Sequence, residues 1–123
     1  MIAGIGTDII EIERMARAIK NEHFIERVFT EQEIKYCDSR GRQRAASYAA
    51  RFAGKEAFFK ALGTGIICSL TYVEILNDDL GKPFVTLHDK AEKLINQRSI
   101  EKIHISLSHS RDYANAICVM ETF

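Results

Sequence analysis

Residues 44–62 read RAASYAARFAGKEAFFKAL, a run without proline that Gly-Thr-Gly closes. Strong helix formers fill it, and Gly63 and Gly65 suit its C-terminal cap, so one long helix from about Arg44 to Leu62 is what any fold of this chain must accommodate. On a helical wheel Ala45, Ala49, Phe52, Ala53, Phe59 and Gly63 share one side, with Glu56 in their middle. Phe58 and Leu62 point roughly the opposite way. A helix apolar on both sides is buried on both. In a chain of 123 residues, room for one modest core, a subunit interface is a natural place for the second side.

The remaining elements are short. Isoleucine-rich residues 2–6 and 9–12 predict a first strand, bent or bulged near Gly6. Met15, Ile19, Phe24, Ile25 and Val28 predict one or two short helices. Thr30 followed by Glu33 is a capping box, which starts a helix running to about Ser39. SRGRQR at 39–44 is a basic loop. Residues 72–76 and 84–87 predict strands around the turn NDDLGKP, and Ala91, Leu94 and Ile95 mark a short helix. Residues 102–109 and 116–120 predict a hairpin joined at Arg111-Asp112-Tyr113. Without β-α-β alternation, repeats or linkers, the pattern indicates an α+β fold: one domain over residues 1–123, a mostly antiparallel sheet packed on the long helix.

Seventeen basic residues balance seventeen acidic ones, which speaks against a broad nucleic-acid surface. Cys37, Cys68 and Cys118 are odd in number and lie in no C-x-x-C spacing, so they read as small apolar fillers in a reducing compartment. No signal peptide or membrane span is visible, and a cytoplasmic protein is expected.

Three places could carry chemistry: Asp8 after GIGT, Glu56 with Lys60, and SLSHS at 106–110. GIGTD lacks the full G-x-G-x-x-G spacing, so phosphate binding there is weakly signalled. Glu56 and Lys60, four apart, are oriented for a helical ion pair. On an apolar face a carboxylate needs something positive beside it, and a metal ion is the commonest functional choice. Were Asp8 and Glu56 to meet, they would suit magnesium, with Arg51, Lys55, Lys60, Lys82 and the 40–44 loop available to phosphates. His109 shares strand parity with Ile103, Ile105 and Leu107, which predicts a core histidine. Adjacent Ser and His side chains on a strand point to opposite faces, which excludes a serine-hydrolase pair at SLSHS.

Together MIAGIGTDIIEIERM, ERVFTEQE, RFAGKEAFFKALGTG, GKP and ISLSHSRDYANA, in this order, resemble the holo-[acyl-carrier-protein] synthases, the small 4′-phosphopantetheinyl transferases. The resemblance spans nearly the whole chain. It implies transfer of 4′-phosphopantetheine from coenzyme A to a serine of apo-acyl carrier protein for fatty acid biosynthesis, releasing adenosine 3′,5′-bisphosphate. It implies a homotrimer with active sites between subunits, magnesium on Asp8 and Glu56, and Lys60 near the coenzyme A diphosphate. Arg51, Gly81, Lys82, Pro83, His109 and Ser110 match positions lining the adenosine and 3′-phosphate pocket. Arg14 matches a contact to the acidic carrier protein, with Arg17 on the same helix. The proton acceptor is left among Glu56, Asp8 and a water on the metal. Gly54 stands where an alanine is common, and roles for Arg42 and Arg44 stay open. The rival functions are a non-catalytic nucleotide-binding trimer and a magnesium-dependent phosphodiesterase.

Overall fold

The computed structural model describes residues 1–123. Along the chain it has β1 (Ile2–Glu11), α1 (Ile12–Ala18), α2 (Glu22–Val28), α3 (Glu31–Asp38), α4 (Arg44–Leu62), β2 (Val73–Asn77), β3 (Pro83–Leu87), α5 (Asp89–Gln97), β4 (Ile100–His109) and β5 (Tyr113–Thr122). One sheet has the order β1-β5-β4, and β2 and β3 form a separate hairpin. Every pairing is antiparallel, as an α+β fold of this pattern requires.

Local signals set several boundaries. The helix α4 starts and stops at the predicted residues, and Gly63 ends it at φ +77°, a left-handed conformation that a Cβ disfavours. At α3, the Thr30 hydroxyl accepts from Glu33 N–H while the Glu33 carboxylate accepts from Thr30 N–H, which completes the capping box. The predicted break in β1 at Gly6 is absent. The only register shift lies between Ile2 and Gly4, and the strand runs straight through Gly6.

The two glycines of β1 have another use. A Cβ on Gly4 would sit 2.0 Å from the Ala61 carbonyl oxygen, and one on Gly6 would sit 2.1 Å from the Ala57 oxygen. They let the strand lie directly on the backbone of α4. Small residues of β5, Ala114, Ala116 and Cys118, line the same buried face of the sheet.

Phe58 and Leu62 correct the interface expectation for α4. They are 0% and 6% exposed within this one chain, in a core cluster with Val73, Ile75, Ala91 and Ile95. Thus β2 and α5 cover the second side of the helix. The unpartnered apolar surface lies instead on the outer face of the three-stranded sheet. There Ile5 and Ile9 are 63% and 65% exposed, with Tyr113 and Ile117 beside them on β5.

Lys55 is a second correction. It is sealed inside the fold, where its Nζ meets Glu33 Oε1 at 2.7 Å with both side chains 0% exposed. The same ammonium donates to the Leu70 carbonyl at 2.9 Å, and Glu33 Oε2 accepts from Ile75 N–H at 2.9 Å. Lys55 therefore joins α4 to α3 and β2, out of reach of any phosphate. Burial lowers its pKa against the opposing pull of Glu33.

Candidate active site

Because side chains alternate along a strand, the β1 face that carries Gly4 and Gly6 next presents Asp8. The glycines hold that face against α4 at Ala61 and Ala57, so Asp8 arrives beside the turn of the helix that bears Glu56 and Lys60. Asp8, Glu56 and Lys60 line one cavity of about 410 Å³. Its other walls are Ile9, Ile10, Arg14, Met15, Ala18, Phe24 and Phe52, from β1, α1, α2 and α4. The cavity is thus lined by both charged and apolar side chains.

The ion pairing differs from the helical one expected. Lys60 Nζ turns away from Glu56 to Asp8 Oδ1, 3.0 Å distant, and also donates to the Thr7 carbonyl at 3.0 Å. Glu56 forms no ion pair. Partial burial pushes its carboxyl above the ordinary value, the Asp8 charge pushes it further, and Lys60 opposes both. A carboxylate whose charge is disfavoured by burial and by a second carboxylate nearby is suited to share a divalent cation with it. No third His, Cys, Asp or Glu joins them, since no such group of three occurs in the chain. These hard oxygen donors fit magnesium, which keeps several waters and takes substrate phosphate oxygens alongside one or two carboxylates.

The residues predicted for the adenosine and 3′-phosphate pocket fall into two further places, neither lining the first cavity. His109 and Ser110 share a cavity of about 420 Å³ with Ile12, Arg42, Gln43, Ala46 and Arg111. His109 is exposed there, at the end of β4, so the core-histidine expectation is wrong. Parity assigns a residue to a face but cannot say whether anything covers that face. Arg44 is committed elsewhere, 2.8 Å from Asp38 and stacked on Tyr48. Arg42 is the arginine of that loop that lines the cavity. Arg111 was missed, although it follows the flagged SLSHS segment directly.

The third place is the β2–β3 turn. Arg51 is only 3% exposed, lies over the Tyr36 ring at 4.3 Å and donates through Nη2 to Asn77. Its Nε has no partner, and no carboxylate pairs with it. A buried guanidinium lacking a counter-charge is poised for an anion supplied from outside the chain. Asn77 connects it to Gly81, and Lys82 and Pro83 follow in the turn. On α1, Arg14 faces the first cavity, while Arg17 is exposed and 3.6 Å from Glu13. Cys37, Cys68 and Cys118 are unpaired, and burial pushes the Cys37 and Cys118 thiols up to about 12.

The chain is similar to known proteins over nearly its whole length. The 4′-phosphopantetheinyl transferase superfamily profile matches residues 4–118. A holo-[acyl-carrier-protein] synthase of Fusobacterium nucleatum is 48% identical over 122 residues, covering 98% of this chain and 99% of its own. The crystal structure of the Neisseria meningitidis holo-[acyl-carrier-protein] synthase superposes with a TM-score of 0.91 at 36% identity, covering 99% and 100%. The Bacillus anthracis holo-(acyl-carrier-protein) synthase, in complex with CoA (3′,5′-ADP), gives 0.83 at 37% identity, covering 100% and 99%.

Proposed function

The chain belongs to the holo-[acyl-carrier-protein] synthases of the 4′-phosphopantetheinyl transferase superfamily, and on that premise we propose that it transfers 4′-phosphopantetheine from coenzyme A to a serine of apo-acyl carrier protein. The observation that carries the mechanism is the convergence of Asp8, Glu56 and Lys60 on one cavity. Asp8 and Glu56 would hold magnesium. That ion supplies positive charge to the coenzyme A diphosphate and to the leaving bisphosphate.

The protein's own groups account for the rest. Glu56, the carboxylate without an ion pair, is placed to accept the serine proton. The serine oxygen then attacks the β-phosphorus, its bond to the bridging oxygen breaks, and adenosine 3′,5′-bisphosphate leaves. Lys60, held beside Asp8, would stabilise charge on the diphosphate. Arg42, His109 and Ser110 in one cavity, and Arg51 with Gly81, Lys82 and Pro83 at the turn, take the adenosine and 3′-phosphate. Arg14 at the rim and Arg17 beyond it face the acidic carrier protein, which docks on α1.

Neither basic wall lines the carboxylate cavity of its own chain. A second copy can bring its walls to that cavity through the apolar outer sheet face, in a head-to-tail contact that forms a ring where its rotation closes. We take that ring to be a homotrimer, as the family resemblance implies, with a site at each junction and residues 1–123 acting as one domain within it. No helix is long and apolar enough to cross a membrane, and three unpaired cysteines suit the cytoplasm, where fatty acid biosynthesis uses the holo carrier.

The test is mass spectrometry of an apo carrier protein incubated with this protein, coenzyme A and magnesium. The carrier is expected to gain one phosphopantetheine, and the gain to disappear with chelator, with Asp8→Asn and with Glu56→Gln. Release of adenosine 3′,5′-bisphosphate without loading would identify a phosphodiesterase, and binding without either product a non-catalytic module. Near-normal loading by either variant would remove the metal assignment.

A further inference from the structure

The β2–β3 turn holds its own shape. Asp78 Oδ1 accepts from the Leu80 and Lys82 N–H groups, both at 2.9 Å. Asp78 N–H donates to the Lys82 carbonyl at 2.9 Å, and Gly81 N–H donates to the Asp78 carbonyl at 3.0 Å. These bonds are internal to the loop and fix its form, while the β2–β3 pairing from Asn77 and Pro83 onward holds its base. Gly81, at φ +87°, supplies the reversal that an L side chain would strain.

A side-chain tie to the rest of the protein lies one residue earlier. Asn77 Nδ2 donates to the Gly81 carbonyl at 2.8 Å, and Asn77 Oδ1 accepts from Arg51 Nη2. Arg51 is itself anchored, stacked on Tyr36 and donating to the Ser47 carbonyl at 3.5 Å. A planar amide carries a donor and an acceptor at once. Aspartate can accept from Arg51 but has no N–H for Gly81, and alanine can do neither.

We propose that Asn77 is a positioning residue of the coenzyme A site, tying the Gly81 carbonyl to the buried Arg51 guanidinium so that Lys82 and Arg51 keep a fixed spacing toward one anionic substrate. This rests on the assignment of the Gly81-Lys82-Pro83 turn to coenzyme A. Asn77 touches no substrate atom itself and acts through the turn.

The experiment is steady-state kinetics of wild type, Asn77→Asp, Lys82→Ala and the double variant, each substrate varied in turn, with thermal melts alongside. Asn77→Asp is expected to raise KM for coenzyme A about tenfold, equivalent to ~1.4 kcal/mol. Its kcat at saturating coenzyme A and its KM for the carrier protein are expected within about twofold of wild type. The double variant is expected to match the worse single variant, because the two residues act through one contact. A normal KM in Asn77→Asp, with KM raised in Lys82→Ala, overturns the positioning role. So does a double variant whose increases multiply, or an Asn77→Asp protein whose kinetic constants all worsen as its melting temperature falls. An unchanged KM in Lys82→Ala overturns the assignment of the turn instead.

Discussion

Replacing Lys55 with methionine isolates the buried ion pair that joins α3, α4 and β2. Methionine fills a similar volume, so the change removes an ammonium while leaving little cavity. Glu33 is then left at 0% exposure with two N–H donors, Thr30 and Ile75, in place of three partners. The Leu70 carbonyl loses its lysine donor as well. Removing one partner of a fully buried pair costs about 3–5 kcal/mol, against a total stability of roughly 5–15 kcal/mol for a domain. For a chain of this size that is a melting temperature lower by about 10–20 °C. Lys55→Met/Glu33→Gln is expected to recover part of the loss, since glutamine carries no charge to neutralise and its one carbonyl oxygen still accepts from either Thr30 N–H or Ile75 N–H, which bond to different oxygens of Glu33. Urea unfolding of the four proteins gives the coupling free energy directly, expected at ~2 kcal/mol or more. A cost below ~1 kcal/mol for Lys55→Met, or two losses that add, would refute a dry, paired lysine at this position.

Gly6→Ala forces a Cβ to within 2.1 Å of the Ala57 oxygen and 2.6 Å of the Ala61 nitrogen, both backbone atoms. The strand must retreat by on the order of 1 Å, carrying Asp8 with it, so kcat/KM is expected to fall ~10²-fold and stability by about 2 kcal/mol or more. Unchanged loading rates would show that β1 does not set the site. Glu56→Gln, measured without metal, is expected to melt slightly higher than wild type near neutral pH, by less than ~1 kcal/mol at this partly exposed site. The sign follows from a carboxyl raised above its ordinary 4.5: between that value and the raised one the native state holds more protons, so wild-type stability falls as pH rises through that window. Melts in chelator from acid to neutral pH check it, and a Glu56→Gln protein less stable than wild type at neutral pH would contradict it. Ile9→Asp, on the outer sheet face, is expected to shift sedimentation from trimer to monomer and abolish transfer while leaving the far-ultraviolet dichroism intact. An active, stable trimer would move the interface elsewhere.

What could be read from sequence was what local chemistry determines. The ends of α4 and the capping box at Thr30 and Glu33 depend on residues within a few positions of each other, and both lie where expected. The site was partly legible too, because Glu56 broke an otherwise apolar helical face. The same wheel held a second warning that was overlooked: Lys55 shares a side with Phe58 and Leu62, and it is the lysine that is sealed in the core. Which strand or helix covers a face is a long-range fact. Hence Phe58 and Leu62 were assigned to a partner when β2 and α5 cover them, and His109 was assigned to the core when nothing covers it. Along the start of β1 the usual rule is inverted, with Ile5 and Ile9 outward and Gly4, Gly6 and Asp8 inward, because α4 lies too close to the two glycines for larger side chains; Ile10, further on, packs inward. Gly54 has a comparable cause: a Cβ there would meet Ile75 Cδ1 at 2.5 Å.

The pairing of β1 with β5 alone has a consequence for the order of events during synthesis. The first strand made has no strand neighbour until the last one emerges, with Ile2 finally opposite Glu121. Helices α1 to α4 can form from local contacts while the chain is still growing, but closing the sheet requires contacts spanning almost its whole length, the slow kind. Asp8 is therefore held in its strand only at the end, after Glu56 and Lys60 have long been in their helix. Until then Ile5 and Ile9 belong to an unpaired strand, the period in which such a segment is most prone to aggregate. The meeting of Asp8 with Glu56 and Lys60 and the pairing of that strand arrive in the same step, when β5 docks.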